Sequence, residues 1–316
     1  NHRMHNKSWI ADNRIALVGG RNLGDEYFDA DDGINFVDLD LLMAGPVVTQ
    51  VSSNFDRFWN SPSNYPIAQL APEAATDAAL VQLRGVLDQA AIDLRSSPYA
   101  QILRDDVNVQ DLLDGDTRLY WSTQWKFVSD APMKATLPMA DRSEVLKVLV
   151  PAMRGAGREL RLISPYFVPG EMGTELLVEG AKSSRNVLIL TNSLAANDVA
   201  AVHGGYMEYR PALLKGGVQL WELKPTGNAP SKFSLGGSSG SSLHTKAMIV
   251  DAGTVFVGSY NLDPRSTSLN SEQGVLVSHP VLAEQLTRIF ERQISPQRAW
   301  KVSVDDKGTV WTDGTQ

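Results

Sequence analysis

Residues 5–22 read HNKSWIADNRIALVGGRN, and residues 244–261 read HTKAMIVDAGTVFVGSYN. The two stretches align without a gap at an offset of 244 − 5 = 239 positions. The apolar positions agree in character, and a repeat of this kind predicts two copies of one structural unit. Five polar or glycine positions are identical: His5 and His244, Lys7 and Lys246, Asp12 and Asp251, Gly19 and Gly258, and Asn22 and Asn261.

Each copy also carries a carboxylate a little further along the chain. Asp38 in FVDLDLLMAGPVV and Glu272 in NSEQGVLVSHPVL fall in matching places, at an offset of 272 − 38 = 234. Pro46 and Pro280 anchor this second alignment. The repeat therefore extends beyond the two motifs.

The spacing within each copy suits the binding of a phosphate. Histidine and lysine alternate on a short predicted strand, so both side chains point to one face. A turn and a second strand lead to Gly-x-x-Asn, which adds an amide and backbone N–H groups. One copy supplies one imidazole, and two copies related by a pseudo-two-fold axis supply two. We expect cations and amides to hold the phosphate oxygens while histidine performs the chemistry.

The composition limits the functional classes. The chain has 316 residues, of which 43% are apolar and 21% charged, with a net charge of −7. This acidic balance argues against a protein that neutralises many nucleic-acid phosphates. The absence of cysteine excludes disulfides and thiolate chemistry. No apolar run reaches the length of a membrane-spanning helix. His2 and His5 have the spacing of a metal pair but no third ligand, so a metal site is disfavoured.

Short β-branched strands alternate with helical patterns, which predicts an α/β fold. Leu80, Leu83, Leu87, Ala90 and Leu94 recur at helical spacing and predict a core-facing stripe. Ser143 is expected to cap a helix through Val145, Leu149 and Met153. Residues 232–242 predict a Gly/Ser loop, and 300–313 a hairpin turning at DDKG. The predicted strands are residues 8–11, 15–19, 36–43, 159–164, 187–191, 218–223, 247–250, 255–258 and 275–277.

The doubled motif resembles that of the phospholipase D superfamily, His-x-Lys-x4-Asp-x6-Gly-Ser-x-Asn. The second copy matches throughout, whereas in the first copy Gly20 stands where serine is expected. The stretches FDRFWNS, ISPYFVPG, LAANDVAAVHGGY and GSYNLDPRS look like the bacterial cardiolipin synthase branch. The resemblance covers nearly the whole chain.

The resemblance implies two pseudo-symmetric α-β-α halves, residues 1–135 and 136–316, with mixed sheets flanked by helices. The active site is expected at the interface between the halves. Only four residues precede His5, whereas Leu160 lies 84 positions before His244. We therefore expect the first half to be incomplete at its N-terminus.

The resemblance also implies a two-step transfer through a phosphohistidine, with His5 as nucleophile and His244 as general acid and base. Asp38 and Glu272 are expected to hold the imidazoles. Asp12 and Asp251 belong to the catalytic motif, although their place at turns suggests a structural role. No metal or cofactor is required, because lysines and histidines supply the positive charge. The expected phosphate contacts are Lys7, Lys246, Asn22, Asn261, Ser259, Gly19 and Gly258.

The implied reaction is cardiolipin synthesis from phosphatidylglycerol and a second phospholipid, with phosphatidylethanolamine as a further substrate. Hydrolysis by a phospholipase D, a phosphodiesterase or nuclease of the same superfamily, and an inactive scaffold are the alternatives. We expect a membrane surface as partner and no nucleic acid. The expected location is the bacterial cell membrane, with peripheral attachment or an anchor in a preceding segment. For His203 in VHGGY, the substrate cleft and the core are equally compatible with the sequence.

Overall fold

The computed structural model describes residues 2–28, 35–74, 76–96, 100, 104, 119–197, 199–225 and 242–313. The chain divides into two compact units. One comprises Asn1–Arg57 with Ser122–Gln316, and the other is Phe58–Trp121. Both motif copies and both carboxylates lie in the first unit. The division into halves after residue 135 stays a prediction.

Fourteen strands and eight α-helices form in the described part of the chain. The strands are β1 Ser8–Ala11, β2 Ile15–Gly19, β3 Phe36–Val37, β4 Asp40–Ala44, β5 Trp125–Ser129, β6 Glu159–Ile163, β7 Asn186–Asn192, β8 Gln219–Leu223, β9 Ser242–Leu243, β10 Ala247–Val250, β11 Thr254–Gly258, β12 Gln273–Ser278, β13 Ala299–Asp305 and β14 Gly308–Thr312. The helices are α1 Pro46–Trp59, α2 Ile67–Leu70, α3 Asp77–Arg95, α4 Glu144–Arg154, α5 Gly170–Lys182, α6 Ala200–Lys215, α7 Pro264–Ser268 and α8 Pro280–Gln293.

A nine-stranded mixed sheet is the centre of the first unit, in the order β14-β13-β8-β7-β6-β10-β11-β12-β5. Strands β6, β7 and β8 are parallel, and the flanking pairs are antiparallel. Side chains from these strands enter two apolar clusters, because successive residues point to opposite faces. Leu162 joins a cluster with α4, α5 and α6, while Ile163 joins one with α1 and α8. The predicted mixed α/β architecture is confirmed.

A separate three-stranded sheet, β1-β2-β4, has the same pairing as β10-β11-β12. Ser8 pairs with Val18, and Ala247 pairs with Val257, so both partners are shifted by 239 positions. The β2–β4 and β11–β12 pairs are also both antiparallel. The sequence repeat is thus a repeat of strand register.

The helices after these two sheets also correspond. Helices α1 and α8 each have fourteen residues and begin at the proline that anchors the second alignment. Proline suits the first turn, where its missing N–H has no helical partner. Val48 and Val51 of α1 are buried in the same cluster as Leu286 and Phe290 of α8. The small sheet and α1 therefore share their core with the matching part of the large sheet.

Several local predictions are confirmed. Ser143 caps α4, since its hydroxyl accepts from the Leu146 amide, and Val145, Leu149 and Met153 are buried. The C-terminal hairpin forms from β13 and β14, with Gly308 at φ +130° after the turn. Almost all of the predicted Gly/Ser loop, residues 232–241, lies outside the described residues.

Two predictions are corrected. The strand expected over residues 36–43 is broken into β3 and β4, and Asp38 lies in the break. Helix α3 forms in the second unit, with Thr76 as its N-cap, but the expected core-facing stripe is not buried. Leu80 is 45% exposed and Leu87 57% exposed. Helical periodicity identified the apolar face of α3 but carries no information about what covers it.

Candidate active site

Each motif histidine is positioned by a strand of the other copy. His5 donates its backbone N–H to the Ser271 carbonyl at 3.0 Å, next to a parallel bridge between Met4 and Ser271. In the same way, His244 donates its N–H to the Val37 carbonyl at 2.9 Å, next to the parallel pair of β3 and β9. The carbonyl that binds each histidine belongs to the residue just before the other copy's carboxylate. Backbone pairing therefore places the carboxylate of each copy beside the histidine of the other copy, an arrangement that we call the exchange of carboxylates.

The exchange produces two histidine–carboxylate pairs. His5 Nδ1 lies 2.7 Å from Glu272 Oε2, and His244 Nδ1 lies 2.6 Å from Asp38 Oδ2. Both carboxylates are fully buried at the side chain. With Nδ1 held by the carboxylate, the free lone pair of a neutral imidazole is on Nε2, as a nucleophile or proton acceptor requires.

The two motif lysines add positive charge to the site, with Lys246 buried and Lys7 half-buried. Lys7 Nζ donates to the His5 carbonyl at 2.8 Å, and Lys246 Nζ donates to the His244 carbonyl. Desolvation and the charge of Lys246 lower the pKa of Lys7 to about 7. Two ammonium groups in one buried site favour an anionic ligand, since a phosphate would offset their mutual repulsion.

Both imidazoles are less basic than an exposed histidine. Desolvation by burial lowers the pKa of His5, and the hydrogen bond to Glu272 offsets only part of the effect. Desolvation and the charges of Lys246 and Lys7 hold the pKa of His244 well below its usual range. Desolvation also raises the pKa of Asp38. Without an anion in the site, neutral imidazoles are therefore favoured near pH 7.

Glu272 is held by two serine hydroxyls in addition to His5. Ser259 Oγ donates to Oε2 at 2.6 Å, and Ser266 Oγ donates to Oε1 at 2.8 Å. Ser259 thus donates its hydroxyl proton to Glu272, and its expected contact with phosphate stays a prediction. Ser266 was not identified from the sequence, although it lies in the GSYNLDPRS stretch.

Asp38 has a different environment. Besides His244, it accepts from the Leu39 amide at 2.8 Å. A Cβ atom at Gly20 would lie 2.6 Å from Asp38 Oδ1, so a serine cannot fit there unless the carboxylate moves. The rings of Tyr27 and Phe36 lie 5.1 and 5.3 Å from the His244 ring. The glycine that replaces serine in the first motif is therefore matched to the position of Asp38.

The remaining motif residues divide into two groups. Asn22 Nδ2 donates to the Tyr27 hydroxyl at 2.6 Å, whereas Asn261 Oδ1 is buried without a partner among the described residues. The substrate contacts of Gly19 and Gly258 stay a prediction, and the structure shows close backbone packing at both glycines. A Cβ at Gly19 would lie 2.5 Å from the Leu39 carbonyl oxygen, and one at Gly258 would lie 2.3 Å from a backbone oxygen of the next strand. These glycines permit close strand packing.

Asp12 and Asp251 lie at the opposite ends of β1 and β10 from the lysines. Both have positive φ, 51° and 52°. The Asp251 carboxylate accepts from the amides of Gly157, Arg158 and Glu159 at 2.7–2.9 Å. Burial raises its pKa, but these hydrogen bonds outweigh that effect and lower it. Asp251 therefore holds the chain before β6, and Asp12 occupies the equivalent turn. Their assignment to the catalytic set stays a prediction.

Gln273 connects the first motif to the second and was not identified from the sequence. Its Nε2 donates to the Lys7 carbonyl at 2.8 Å. Its Oε1 accepts from Asn6 at 3.2 Å and from Asn54 of α1 at 3.1 Å. The only signal in the sequence is its position next to Glu272, because its partners are more than 200 residues away.

The fold and the paired motifs together define a class of protein. Two histidine–lysine motifs with exchanged carboxylates occupy one site on a mixed α/β sheet, and the chain belongs to the phospholipase D superfamily. Residues 149–294 match the family described as cardiolipin synthase, PLD-like domain. Within the superfamily, the chain is thus a member of the cardiolipin synthase-like branch.

Individual relatives agree with this placement. The chain is 38% identical to cardiolipin synthase C of Escherichia coli over 99% of its length, and it covers 66% of that protein. It is 26% identical to a cardiolipin synthase of Halalkalibacterium halodurans, over 86% of this chain and 42% of the relative. The crystal structure of Haemophilus influenzae phosphatidylserine synthase has the same fold, with a TM-score of 0.57 at 13% identity, over 98% of this chain and 63% of that one. The chain thus spans 66% or less of the length of these relatives.

Within the described ranges, no cluster of three or more His, Asp or Glu side chains has an arrangement that could hold a metal ion. None of the helices in these ranges is both long and apolar enough to cross a membrane.

Proposed function

We propose that the chain carries the catalytic site of a phosphatidyltransferase that acts on glycerophospholipid phosphodiesters through a phosphohistidine. The observation that supports this most strongly is the reciprocal exchange of carboxylates, His5 with Glu272 and His244 with Asp38. It supplies two imidazoles, each held by Nδ1, in one site with Lys7 and Lys246. One histidine can attack phosphorus while the other transfers a proton.

In the first step, His5 Nε2 attacks the phosphorus and forms a P–N bond. The P–O bond to the leaving alcohol breaks, and that oxygen takes the proton from His244 Nε2. In the second step, an acceptor hydroxyl gives its proton to His244 and attacks phosphorus. The P–N bond breaks, which restores neutral His5 and protonated His244. Lys7 and Lys246 stabilise charge on the phosphoryl oxygens in both steps.

The difference between the carboxylates supports this order of roles. Glu272 accepts two serine hydroxyls besides its contact with His5, so its negative charge is shared among three hydrogen bonds. In the described part of the chain, Asp38 accepts only from His244 and a backbone amide. Asp38 therefore stabilises an imidazolium better, which suits His244 as acid and base and leaves His5 neutral as nucleophile.

Substrate binding would supply the proton that His244 needs. The ammonium groups of Lys7 and Lys246 lower the pKa of His244 in the free site. An anionic phosphodiester between these groups cancels much of their repulsion, so the pKa of His244 rises when substrate binds. Protonation of the general acid is thus coupled to occupation of the site.

For the acceptor, we propose the hydroxyl of phosphatidylglycerol, which yields cardiolipin, with phosphatidylethanolamine as a second phospholipid substrate. The naming of two relatives as cardiolipin synthases supports this choice. Because the substrates are membrane lipids, we further propose that the protein works at the bacterial cell membrane. Co-sedimentation with phosphatidylglycerol vesicles tests this, and equal recovery with and without vesicles contradicts it.

The function is tested by incubation with phosphatidylglycerol, with and without phosphatidylethanolamine, followed by lipid mass spectrometry. Cardiolipin with release of glycerol is the expected result. Phosphatidic acid as the sole product would show that water is the acceptor and would reassign the protein to hydrolysis. A protein that forms neither product, and is not labelled at histidine by a phosphodiester with a good leaving group, contradicts the proposal.

A further inference from the structure

A cavity of about 370 Å³ lies between α6 and the C-terminal hairpin. Its lining includes Met207, Trp300 and Trp311 as apolar or aromatic walls, and His203, Arg210 and Glu222 as polar groups. Small-molecule sites typically combine apolar walls with a few fixed polar groups in a volume of roughly 300–1,000 Å³.

The polar groups are held in fixed positions. Arg210 Nη1 lies 3.0 Å from Glu222 Oε1, and both side chains are buried. Trp311 Nε1 donates to Glu222 Oε2 at 2.8 Å. The guanidinium also lies 4.8 Å from the Trp311 ring and 5.5 Å from the Tyr206 ring. A buried ion pair is costly to desolvate, and an apolar pair of similar volume is often at least as stable. A binding role would account for it.

Two nitrogens of these groups have no hydrogen-bond partner within the described ranges, Nδ1 of His203 and Nε of Arg210. The His203 ring hydrogen-bonds to the backbone of Asn192. Since its other nitrogen makes that bond, Nδ1 is available as an acceptor. The Arg210 Nε–H is a donor. An acceptor and a donor among apolar walls suit a hydroxyl group, which donates to one and accepts from the other.

The cavity is connected to the catalytic site by a short chain of contacts. Asn192, which ends β7, exchanges two hydrogen bonds of 2.9 Å with the backbone of Leu243, the residue before His244. His203 contacts the same asparagine. Ligands of α/β sheets bind beyond the carboxyl ends of parallel strands, where Asn192 lies. The wall of the cavity is therefore linked to His244 through Asn192 and Leu243.

We propose that this cavity binds the hydroxyl-bearing headgroup of the acceptor lipid, with a hydroxyl on His203 and Arg210 and the carbon skeleton against Met207 and the tryptophans. The inference rests on the proposed function, since it assigns the acceptor of that reaction. It predicts that changes in the cavity affect the acceptor step and leave formation of the phosphoenzyme intact.

The kinetic test blocks the cavity with a larger side chain at its exposed rim. Met207→Trp places an indole in the opening, and Met172→Trp makes the same change on α5, where methionine is 83% exposed. With dihexanoylphosphatidylglycerol as variable acceptor, Met207→Trp is expected to raise the acceptor KM at least about tenfold, with an unchanged phosphoenzyme burst. Met172→Trp should match the unsubstituted protein. An unchanged acceptor KM in Met207→Trp, or an equal loss of the burst, overturns the assignment.

A binding test works even if no turnover is found, so it separates this inference from the proposed function. The indole N–H signal of Trp311, assigned with Trp311→Phe, is followed by NMR during titration with dihexanoylphosphatidylglycerol and with dihexanoylphosphatidylmethanol, which lacks the headgroup hydroxyls. A shift with the first lipid that is at least about tenfold weaker with the second is expected. His203→Leu should remove this preference. Equal shifts with both lipids, or none, overturn the inference.

Discussion

The half-site around His5 and the half-site around His244 arise from one repeated motif but differ in how each carboxylate is held. Glu272 receives two serine hydroxyls, whereas Asp38 lies against Gly20, where a serine would clash. The His5 side chain is 21% exposed and that of His244 is 7% exposed. The comparison shows that a duplicated motif can supply two similar groups while the hydrogen bonds behind them differ.

The largest expected difference is between the two histidine variants. With a p-nitrophenyl phosphodiester, whose leaving group needs little protonation, His244→Ala should keep a burst of nitrophenol and His5→Ala should lose it. With a lipid substrate, His5→Ala is expected to cost about 10⁶-fold in kcat and His244→Ala about 10²–10⁴-fold. Burst kinetics and peptide mapping of the phosphohistidine measure this. Exposed His2→Ala is the control, and a phosphate label on His244 alone reverses the roles.

Variants of the two carboxylates should differ from each other in the same way as the two histidine variants. Asp38→Asn and Glu272→Gln each remove the charge that fixes an imidazole tautomer, and about 10²–10⁴-fold loss in kcat is expected. For Asp38→Asn, the loss should shrink when the alkyl leaving group is replaced by nitrophenol, because only proton donation is impaired. The loss in Glu272→Gln should persist. Identical leaving-group dependence in both variants would contradict the division of roles.

Lys7 tests the electrostatics that both half-sites share. Lys7→Met should lower kcat/KM by about 10²–10³-fold, since it removes a charge that stabilises the phosphoryl oxygens. It should also stabilise the fold at pH 7. The pKa of Lys7 falls from 10.5 to about 7 on folding. The unfolded chain therefore holds this proton over a pH range where the folded chain does not, so stability rises with pH across that window.

Urea denaturation at pH 7 and pH 9.5 measures this effect. The free energy of unfolding of the unsubstituted protein should rise between these pH values by an amount of the order of a few kcal/mol. In Lys7→Met this rise should be absent. Lys147→Met, at an exposed lysine, is the matched control. An equal pH dependence in Lys7→Met would show that Lys7 keeps its ordinary pKa in the folded protein.

The smallest expected effect comes from making the half-sites more alike. Ser259→Gly removes one hydroxyl from Glu272 and leaves more of its negative charge to His5, so the pKa of His5 should rise and kcat should fall about tenfold. A histidine NMR titration measures the shift, with Ser183→Gly, at the exposed serine that follows α5, as control. An unchanged pKa of His5 would show that the serine does not tune this half-site.

Much of this site could be predicted from the sequence, because the repeat fixes local geometry. The offset of 239 positions identified both histidines, both lysines and the hairpins that present them, and Ser143 was recognised by its capping position. These features depend on residues close in the chain.

The features that were missed depend on contacts between distant residues. The exchange that brings Glu272 to His5 spans 267 positions, and neither copy alone indicates it. The motif also does not show which way the Ser259 hydroxyl points, and in the structure it donates to Glu272. The break at Asp38 interrupts an apolar pattern that predicts one strand, because the chain pairs with β9 before the break and with β2 after it.

The exchange of carboxylates has a consequence for the ancestry of the chain. In an isologous contact between identical subunits, residue i of one touches residue j of the other, and j touches i. The pairs His5–Glu272 and His244–Asp38 obey this rule within a single polypeptide. A homodimer of one half would already have possessed both pairs. Duplication and fusion of its gene would have removed the requirement that the two copies stay identical. The difference between Gly20 and Ser259 would then follow from that linkage, because each copy could accept mutations that the other could not.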